Sequence, residues 1–164
     1  MKTLAVFGGK TARACKAKII SSDSIGRMSE KSPTDRQLGG TNATRIAVYS
    51  DRSQTREEVH AAIGSTLGPN QPPVEFVDFA GHNALVEAIR RKEIDLCILD
   101  AEAAPLGGIG LCFELKHEFD KCPPVLLLVQ RRDDAWLSTW CDADAVYPLP
   151  VDPMDFQDAV RRLQ

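Results

Sequence analysis

The chain has 164 residues, of which 43% are hydrophobic and 26% are charged. This balance is typical of a single globular domain and excludes an intrinsically disordered chain. No apolar run approaches the roughly 18 residues that a membrane-spanning helix needs, so we expect no membrane partner.

Charge divides the chain into two unequal parts. Residues 1–40 carry a net charge of +5, whereas residues 41–164 carry a net charge of -8. Because phosphate contacts require a clustered basic surface, the acidic part argues against nucleic acid as a partner. We predict a flexible N-terminal extension over residues 1–43, followed by one folded domain over residues 44–164.

The N-terminal extension contains one motif that resembles a nucleotide site. Gly8-Gly9-Lys10-Thr11 suggests a phosphate-binding loop, but Leu4 stands where that loop needs its first glycine. Most of the positive charge follows the apolar stretch at residues 4–7, which argues against a signal peptide. Met28 is a candidate translation start, and the mass of the native N-terminus tests that hypothesis.

The cysteines predict free thiols in a reducing cytoplasm. Five are present, at Cys15, Cys97, Cys112, Cys122 and Cys141. They form no CxxC pair and have no histidine at zinc-ligand spacing, so no structural metal is expected. The odd count and the absence of a secretion signal point to a cytoplasmic protein.

From Thr44 onward, short apolar strands alternate with amphipathic helices. The first strand covers residues 45–49, and apolar residues at four-residue spacing mark a helix after it. Ser53 is the candidate N-cap of that helix. A second strand covers residues 74–78, and a second helix begins at Asn83.

The second half of the chain continues this alternation. Strands are predicted over residues 94–99, 124–129 and 145–147. Asp133 or Asp134 caps a short fourth helix, and Asp152-Pro153 opens the fifth with an N-cap followed by proline. Strict alternation with short loops predicts a parallel sheet with helices on both faces.

In such a sheet, the functional crevice lies at the carboxyl ends of the strands. That rule selects Ser50-Asp51, Asp100 and Val129-Gln130. Two of these three places carry an acid, and this coincidence is the main functional signal of the sequence.

These features resemble the receiver domain of two-component response regulators. Tyr49-Ser50-Asp51 matches the acidic pair of that family, and Ile98-Leu99-Asp100 matches its phosphoacceptor strand. Gly108 matches a glycine after the acceptor, and Leu149-Pro150 matches a Lys-Pro segment whose proline is usually cis. The resemblance implies a three-layer α/β fold of the flavodoxin-like type, with a five-stranded parallel sheet in the order 2-1-3-4-5.

The resemblance also implies a chemistry and a set of ligands. In the family, an aspartate attacks a phosphoryl group, and Mg²⁺ offsets the charge on the phosphoryl oxygens. Asp100 is then the candidate phosphoacceptor. Asp51, Asp100 and the backbone carbonyl of Glu102 are the candidate metal ligands.

Four positions depart from the family pattern. Ser50 replaces the first acid of the pair, so Mg²⁺ is expected to bind weakly, and no other cofactor is expected. Val129 stands in place of the switch hydroxyl, and Leu149 in place of the lysine that holds the phosphate. Val146 replaces the switch aromatic residue, with Tyr147 beside it. The resemblance is therefore to a pseudo-receiver that has lost the groups that report phosphorylation.

Structural roles compete with several of these assignments. Asp100 is equally well explained as a strand-end acid kept for folding, and Asp51 as a cap of the first helix. Glu102 is also consistent with a solvent-facing side chain. Each of these alternatives stays open at the level of sequence.

A candidate interface lies near the fourth helix. Trp136 and Trp140 are one helical turn apart, and with Tyr147 they form the predicted contact surface, because exposed tryptophans often anchor interfaces. Partly buried packing is the alternative for the tryptophan pair.

We therefore expect a stand-alone, non-enzymatic module that contacts a protein partner, either a sensor kinase or a regulatory target. Phosphorylation at Asp100 is expected to be weak or absent. A homodimer through the fourth helix, fifth strand and fifth helix is a further expectation. The first alternative is a working Mg²⁺-dependent phosphoacceptor in a phosphorelay, and the second is a phosphatase-type enzyme that uses Asp100.

Overall fold

The computed structural model describes residues 43–164. The predicted N-terminal extension lies outside the described residues except for Ala43. The glycine-rich motif at residues 8–11 and the candidate start at Met28 lie outside them as well.

Strands and helices alternate throughout the described residues. In chain order they are β1 (Thr44–Tyr49), α1 (Ser53–Ile63), β2 (Val74–Phe79), α2 (His82–Arg90), β3 (Leu96–Asp100), α3 (Gly108–Glu118), β4 (Val125–Val129), α4 (Leu137–Cys141), β5 (Ala145–Pro148) and α5 (Pro153–Arg161). A 3₁₀ turn, Arg132–Trp136, leads directly into α4.

The five strands form one parallel sheet in the order β2-β1-β3-β4-β5. This confirms the predicted fold class and strand order. The register pairs Tyr49 with Leu99 and Asp100 with Leu128, so the carboxyl ends of β1, β3 and β4 lie side by side. The sheet therefore brings the predicted site positions to one edge.

Two hydrophobic clusters cover the two faces of the sheet. One is packed by α2, α3 and α4 and the other by α1 and α5. Every residue of β3 and β4 is buried. This explains their continuous apolar sequence, because a strand covered on both faces has no solvent side. None of the helices within residues 43–164 combines the length and the apolar character needed to cross a bilayer.

Helix starts were predicted with mixed success. Asp152 caps α5 as expected, since its Oδ1 accepts hydrogen bonds from the backbone nitrogens of Met154 and Asp155. The Ser53 cap was wrong. Ser53 is the first residue of α1, and the N-cap position belongs to Arg52, which makes no side-chain cap.

The predicted cap of the fourth helix was also wrong. Asp133 and Asp134 lie inside the 3₁₀ turn, and Arg131 holds its N-cap position without a side-chain cap. The second helix begins at His82, one residue before the predicted start. Local composition indicated a helix start in each case but did not identify its first residue.

Gly108 allows α3 to begin directly against the end of β3. A Cβ atom at this position would lie 2.4 Å from the backbone oxygen of Asp100 and 3.1 Å from Cβ of Leu99. Any larger residue therefore pushes α3 away from the strand that carries Asp100.

We predict that Gly108→Ala lowers the free energy of unfolding by about 2 kcal/mol, because the added methyl group meets backbone atoms that cannot give way. Gly81→Ala is the matched control, since nothing lies within 4 Å of its added Cβ. The control should change stability by less than about 0.5 kcal/mol. Urea unfolding measures both, and equal effects would contradict the proposed close packing.

Candidate functional site

A cleft of about 800 Å³ opens at the carboxyl ends of the central strands. It is lined by Asp51, Arg52, Ser53, Gln54, Thr55, Glu58, Gln130, Leu149 and Pro150. The lining residues come from the loop and helix after β1 and from the segments after β4 and β5, so the cleft lies at the edge of the sheet where the sequence predicted a functional crevice.

Asp100 is the buried acid of the site. It is the last residue of β3, and only 1% of its surface is exposed. Ser50 Oγ donates a hydrogen bond of 2.8 Å to Oδ2, and the backbone nitrogen of Glu102 donates one of 3.1 Å to Oδ1. Both carboxylate oxygens are therefore engaged by the protein.

Arg52 supplies a cation to this carboxylate. Its Nη2 lies 2.8 Å from Asp100 Oδ2, and 42% of the arginine side chain is exposed. The hydrogen bond to Asp100 raises the pKa of the guanidinium. A buried carboxylate carries a large desolvation cost unless it is paired, and Arg52 offsets that cost.

The same guanidinium reaches the end of β4. With the amide oxygen of Gln130 turned toward the arginine, that oxygen accepts hydrogen bonds of 2.8 Å from Nη2 and 3.0 Å from Nη1 of Arg52. Arg52 therefore connects the loop after β1 to the ends of both β3 and β4. Planar guanidinium groups suit this role because they donate in several fixed directions.

Sequence reasoning missed Arg52. The available signal was its position directly after the Ser50-Asp51 pair, where the strand-end rule places side chains in the crevice. The loop around it is also held in place, since Arg56 Nη1 donates to the backbone oxygen of Ser50 over 2.6 Å. Ser50 Oγ in turn accepts a hydrogen bond of 3.1 Å from the backbone nitrogen of Arg52.

The other predicted ligand positions are more exposed. Asp51 lines the cleft with an exposed side chain, and Glu102 is exposed as well.

Tyr49 lies close to the same acids. Burial, followed by the negative charges of Asp51 and Asp100, raises the pKa of the Tyr49 phenol. Tyr49 donates its hydroxyl hydrogen to the backbone oxygen of Leu106 over 2.7 Å, which ties the loop after β3 to β1.

The residues that stand in place of the family's phosphate-sensing groups are apolar. Val129 is buried at the end of β4, and Val146 is partly buried against the cluster of α2, α3 and α4. Leu149 lines the cleft, and the Leu149-Pro150 peptide is cis, as expected. At these three positions the site offers a phosphoryl group neither a hydroxyl nor an ammonium.

The arrangement around Asp100 does not fit a Mg²⁺ ion. Oδ2 already accepts from Ser50 and Arg52, and the guanidinium lies where a cation would contact this oxygen. Ser50 also brings no negative charge, and Mg²⁺ is held mainly by carboxylates. Within residues 43–164, no three Asp, Glu, His or Cys side chains gather as a metal-binding group.

The predicted interface residues lie in two different environments. Trp136 and Trp140 are exposed by 65% and 61%, whereas Tyr147 is partly buried and packs edge-on against Phe156 at 4.9 Å. Phe113 of α3, which the sequence did not single out, stacks on Trp140 at 5.3 Å. We call Phe113, Trp136 and Trp140 the aromatic patch.

Comparison with known proteins decides the family. An uncharacterized response regulatory protein of Mycobacterium tuberculosis strain H37Rv is 46% identical over 114 residues, which cover 70% of this chain and 86% of that protein. The chain belongs to the response regulator receiver family. A protein of the same description from the strain CDC 1551 / Oshkosh gives the same values. No protein-family model matches this receiver.

Solved receiver structures share its fold. The response regulatory domain of mrkE from Klebsiella pneumoniae has a TM-score of 0.61 at 15% identity, covering 73% of this receiver and 94% of that chain. The BeF3-activated receiver domain of RstA from the same species has a TM-score of 0.61 at 20% identity, covering 74% and 99%. Both confirm the flavodoxin-like sheet described above.

We predict that Arg52→Met lowers the free energy of unfolding by about 2 kcal/mol, because it leaves the Asp100 carboxylate buried without its cation. In an Asp100→Asn background the same change should cost about 1 kcal/mol less. A double-mutant cycle in urea measures this coupling.

The exposed pair of Arg90 and Glu87 is the matched control, since both side chains are about half exposed. Its coupling, from Arg90→Met and Glu87→Gln, should stay below about 0.5 kcal/mol. Equal coupling in the two pairs would show that Arg52 does not stabilise a buried charge.

Proposed function

We propose that this receiver signals through protein–protein contact while phosphorylation at Asp100 is weak or absent. The observation that carries the proposal is the ion pair between Arg52 Nη2 and Asp100 Oδ2, at 2.8 Å. A phosphoacceptor must attack with a carboxylate oxygen and needs a cation that also binds the incoming phosphoryl oxygens. Arg52 instead pairs directly with the Asp100 carboxylate, which makes that carboxylate less available as a nucleophile.

The apolar residues Val129 and Leu149 support the same proposal. A phosphoryl group on Asp100 would develop negative charge beside Val129 and Leu149, neither of which can donate a hydrogen bond. Without such donors, the phosphorylated and unphosphorylated states differ little in their contacts at these positions. A modification changes a conformational equilibrium only through contacts that differ between the two states.

The aromatic patch is the surface that best suits a protein partner. Large exposed aromatic side chains lose little conformational entropy on binding and bury much apolar area, so they often dominate interfaces. We infer that a sensor kinase or a regulatory target in the cytoplasm contacts this patch.

The homodimer through α4, β5 and α5 stays a prediction, and so does a non-enzymatic role for residues 44–164.

The alternative is a Mg²⁺-dependent phosphoacceptor in a phosphorelay. It is favoured by the contact of Asp100 with Arg52, which lines an open cleft together with Asp51. In this alternative the partly exposed Arg52 side chain swings away, and Mg²⁺ takes its place at Asp100. A phosphatase-type enzyme that uses Asp100 ranks third, because Val129 and Leu149 supply no hydroxyl or ammonium for phosphate chemistry.

Incubation with acetyl phosphate and Mg²⁺, followed by intact mass measurement, tests the proposal. We expect the wild-type protein to gain no phosphoryl group under conditions that modify a conventional receiver in a parallel reaction. Asp100→Asn should behave like the wild type. A phosphoryl adduct that disappears in Asp100→Asn would contradict the proposal and support the phosphorelay alternative.

A reconstructed site provides a second test. We predict that Ser50→Asp combined with Arg52→Ala creates a Mg²⁺ site, since it adds a carboxylate and removes the competing cation. Millimolar Mg²⁺ should raise the melting temperature of this variant by about 2–4 °C, because a ligand that binds only the folded state stabilises it. The melting temperatures of the wild type and of Arg132→Ala should not change. An equal rise in the wild type would show that Arg52 does not exclude the metal.

A further inference from the structure

Two buried cysteines lie where α3 packs against α4, away from the cleft that Asp51 and Arg52 line. Cys112 lies on the buried face of α3, and Cys141 is the last residue of α4; neither has exposed surface. Cys112 Sγ donates a hydrogen bond of 3.2 Å to the backbone oxygen of Cys141, which places the first thiol against the residue that carries the second. A disulfide joins its sulfurs at about 2 Å, so the two side chains must rotate toward each other for the bond to close.

We propose that Cys112 and Cys141 form an oxidisable dithiol, whose intramolecular disulfide links α3 to α4. The proposal rests on the contact of these two residues, 29 positions apart in the chain. It does not depend on the chemistry proposed for Asp100.

The two thiols differ in reactivity. The interaction with Cys112 lowers the pKa of Cys141, although burial opposes this shift, and the backbone N–H of Ala143 contributes in the same direction. The same interaction, together with burial, raises the pKa of Cys112. Since the thiolate is the nucleophile, Cys141 is the first thiol to react and Cys112 is its resolving partner.

The remaining described cysteines are less suited to this reaction. Burial raises the pKa of Cys97, which lies inside β3 with no exposed surface. Burial also raises the pKa of Cys122, although this side chain is partly exposed. Exposure alone would therefore favour Cys122, whereas thiolate character favours Cys141, and this contrast makes the proposal testable.

The oxidant that balances the reaction is a hydroperoxide. The Cys141 thiolate attacks the distal peroxide oxygen, the O–O bond breaks, and Cys141 becomes a sulfenic acid while the leaving oxygen takes up a proton. Cys112 then attacks the Cys141 sulfur, and the S–S bond forms as water leaves. The two sulfurs together lose two electrons and the peroxide gains two.

Local opening of α4 gives the oxidant access. This helix has only five residues, follows a 3₁₀ turn, and is followed by the C-cap residue Asp142, whose φ of 55° is left-handed. So short a helix has few internal hydrogen bonds, and such segments open more readily than the strands of the sheet. We therefore expect oxidation of Cys141 to be slower than that of a fully exposed thiol with the same pKa.

The disulfide would act on the aromatic patch. Trp140 precedes Cys141, and Phe113 follows Cys112, so the linked residues are the chain neighbours of the stacked rings. A bond between α3 and α4 removes their independent motion and fixes the relative position of Phe113 and Trp140. Oxidation would thus change the surface that we propose for the protein partner.

Hydrogen peroxide treatment of the reduced full-length chain tests the inference. We expect a mass loss of about 2 Da, for the two thiol hydrogens, with no change in oligomer mass. Non-reducing peptide mapping should recover Cys112 and Cys141 in one crosslinked species, and dithiothreitol should reverse the change. Cys141→Ala should abolish the mass loss.

Two variants separate the proposed order from incidental oxidation. In Cys112→Ala, dimedone should trap a sulfenic acid on Cys141, because the resolving thiol is absent. The matched control combines Cys15→Ser, Cys97→Ala and Cys122→Ser. In this variant the disulfide should form as in the wild type. That result would also show that the protein folds with Cys112 and Cys141 in place. A crosslink to any other cysteine, or an unmodified Cys141 after Cys122 is fully oxidised, would overturn the proposal.

Discussion

A buried carboxylate at the end of a central strand is the constraint on which this structure depends. Asp100 is closed off from solvent, and an isolated negative charge there would cost several kcal/mol. Hydrogen bonds from Ser50 and from the backbone of Glu102, together with the Arg52 guanidinium, compensate for that cost. Because these groups come from the loops after β1 and β3, satisfying one charge also holds the edge of the sheet together.

The source of the compensating charge determines what the site can do. A metal ion exchanges with solvent, so a site that uses one can change state when the ion or a phosphoryl group arrives. An arginine of the same chain is always present and always charged. Arg52 therefore makes the environment of Asp100 a constant feature of the fold, and a binding surface elsewhere has to carry the signal that we propose.

That surface lies on the face formed by α3 and α4. The aromatic patch and the Cys112–Cys141 pair share these two helices, with one member of the ring stack and one thiol on each. A short helix packed on a longer one is easier to displace than a strand of the sheet, because fewer hydrogen bonds hold it. This face therefore combines exposed apolar area with limited local stability, which suits a contact that responds to a partner or to oxidation.

The sequence by itself determined the α/β alternation, the Asp152 cap and the position of Asp100 at a strand end, since each of these follows from local periodicity or from neighbouring residues. The family resemblance added the strand order. Only the tertiary structure decided the partner of Asp100, because Arg52 is 48 positions away in the chain and spacing does not encode the meeting of two such side chains. It also showed that Phe113 stacks on Trp140 whereas Tyr147 packs against Phe156, because a group of aromatic residues in the sequence carries no information about which face of the sheet each side chain occupies.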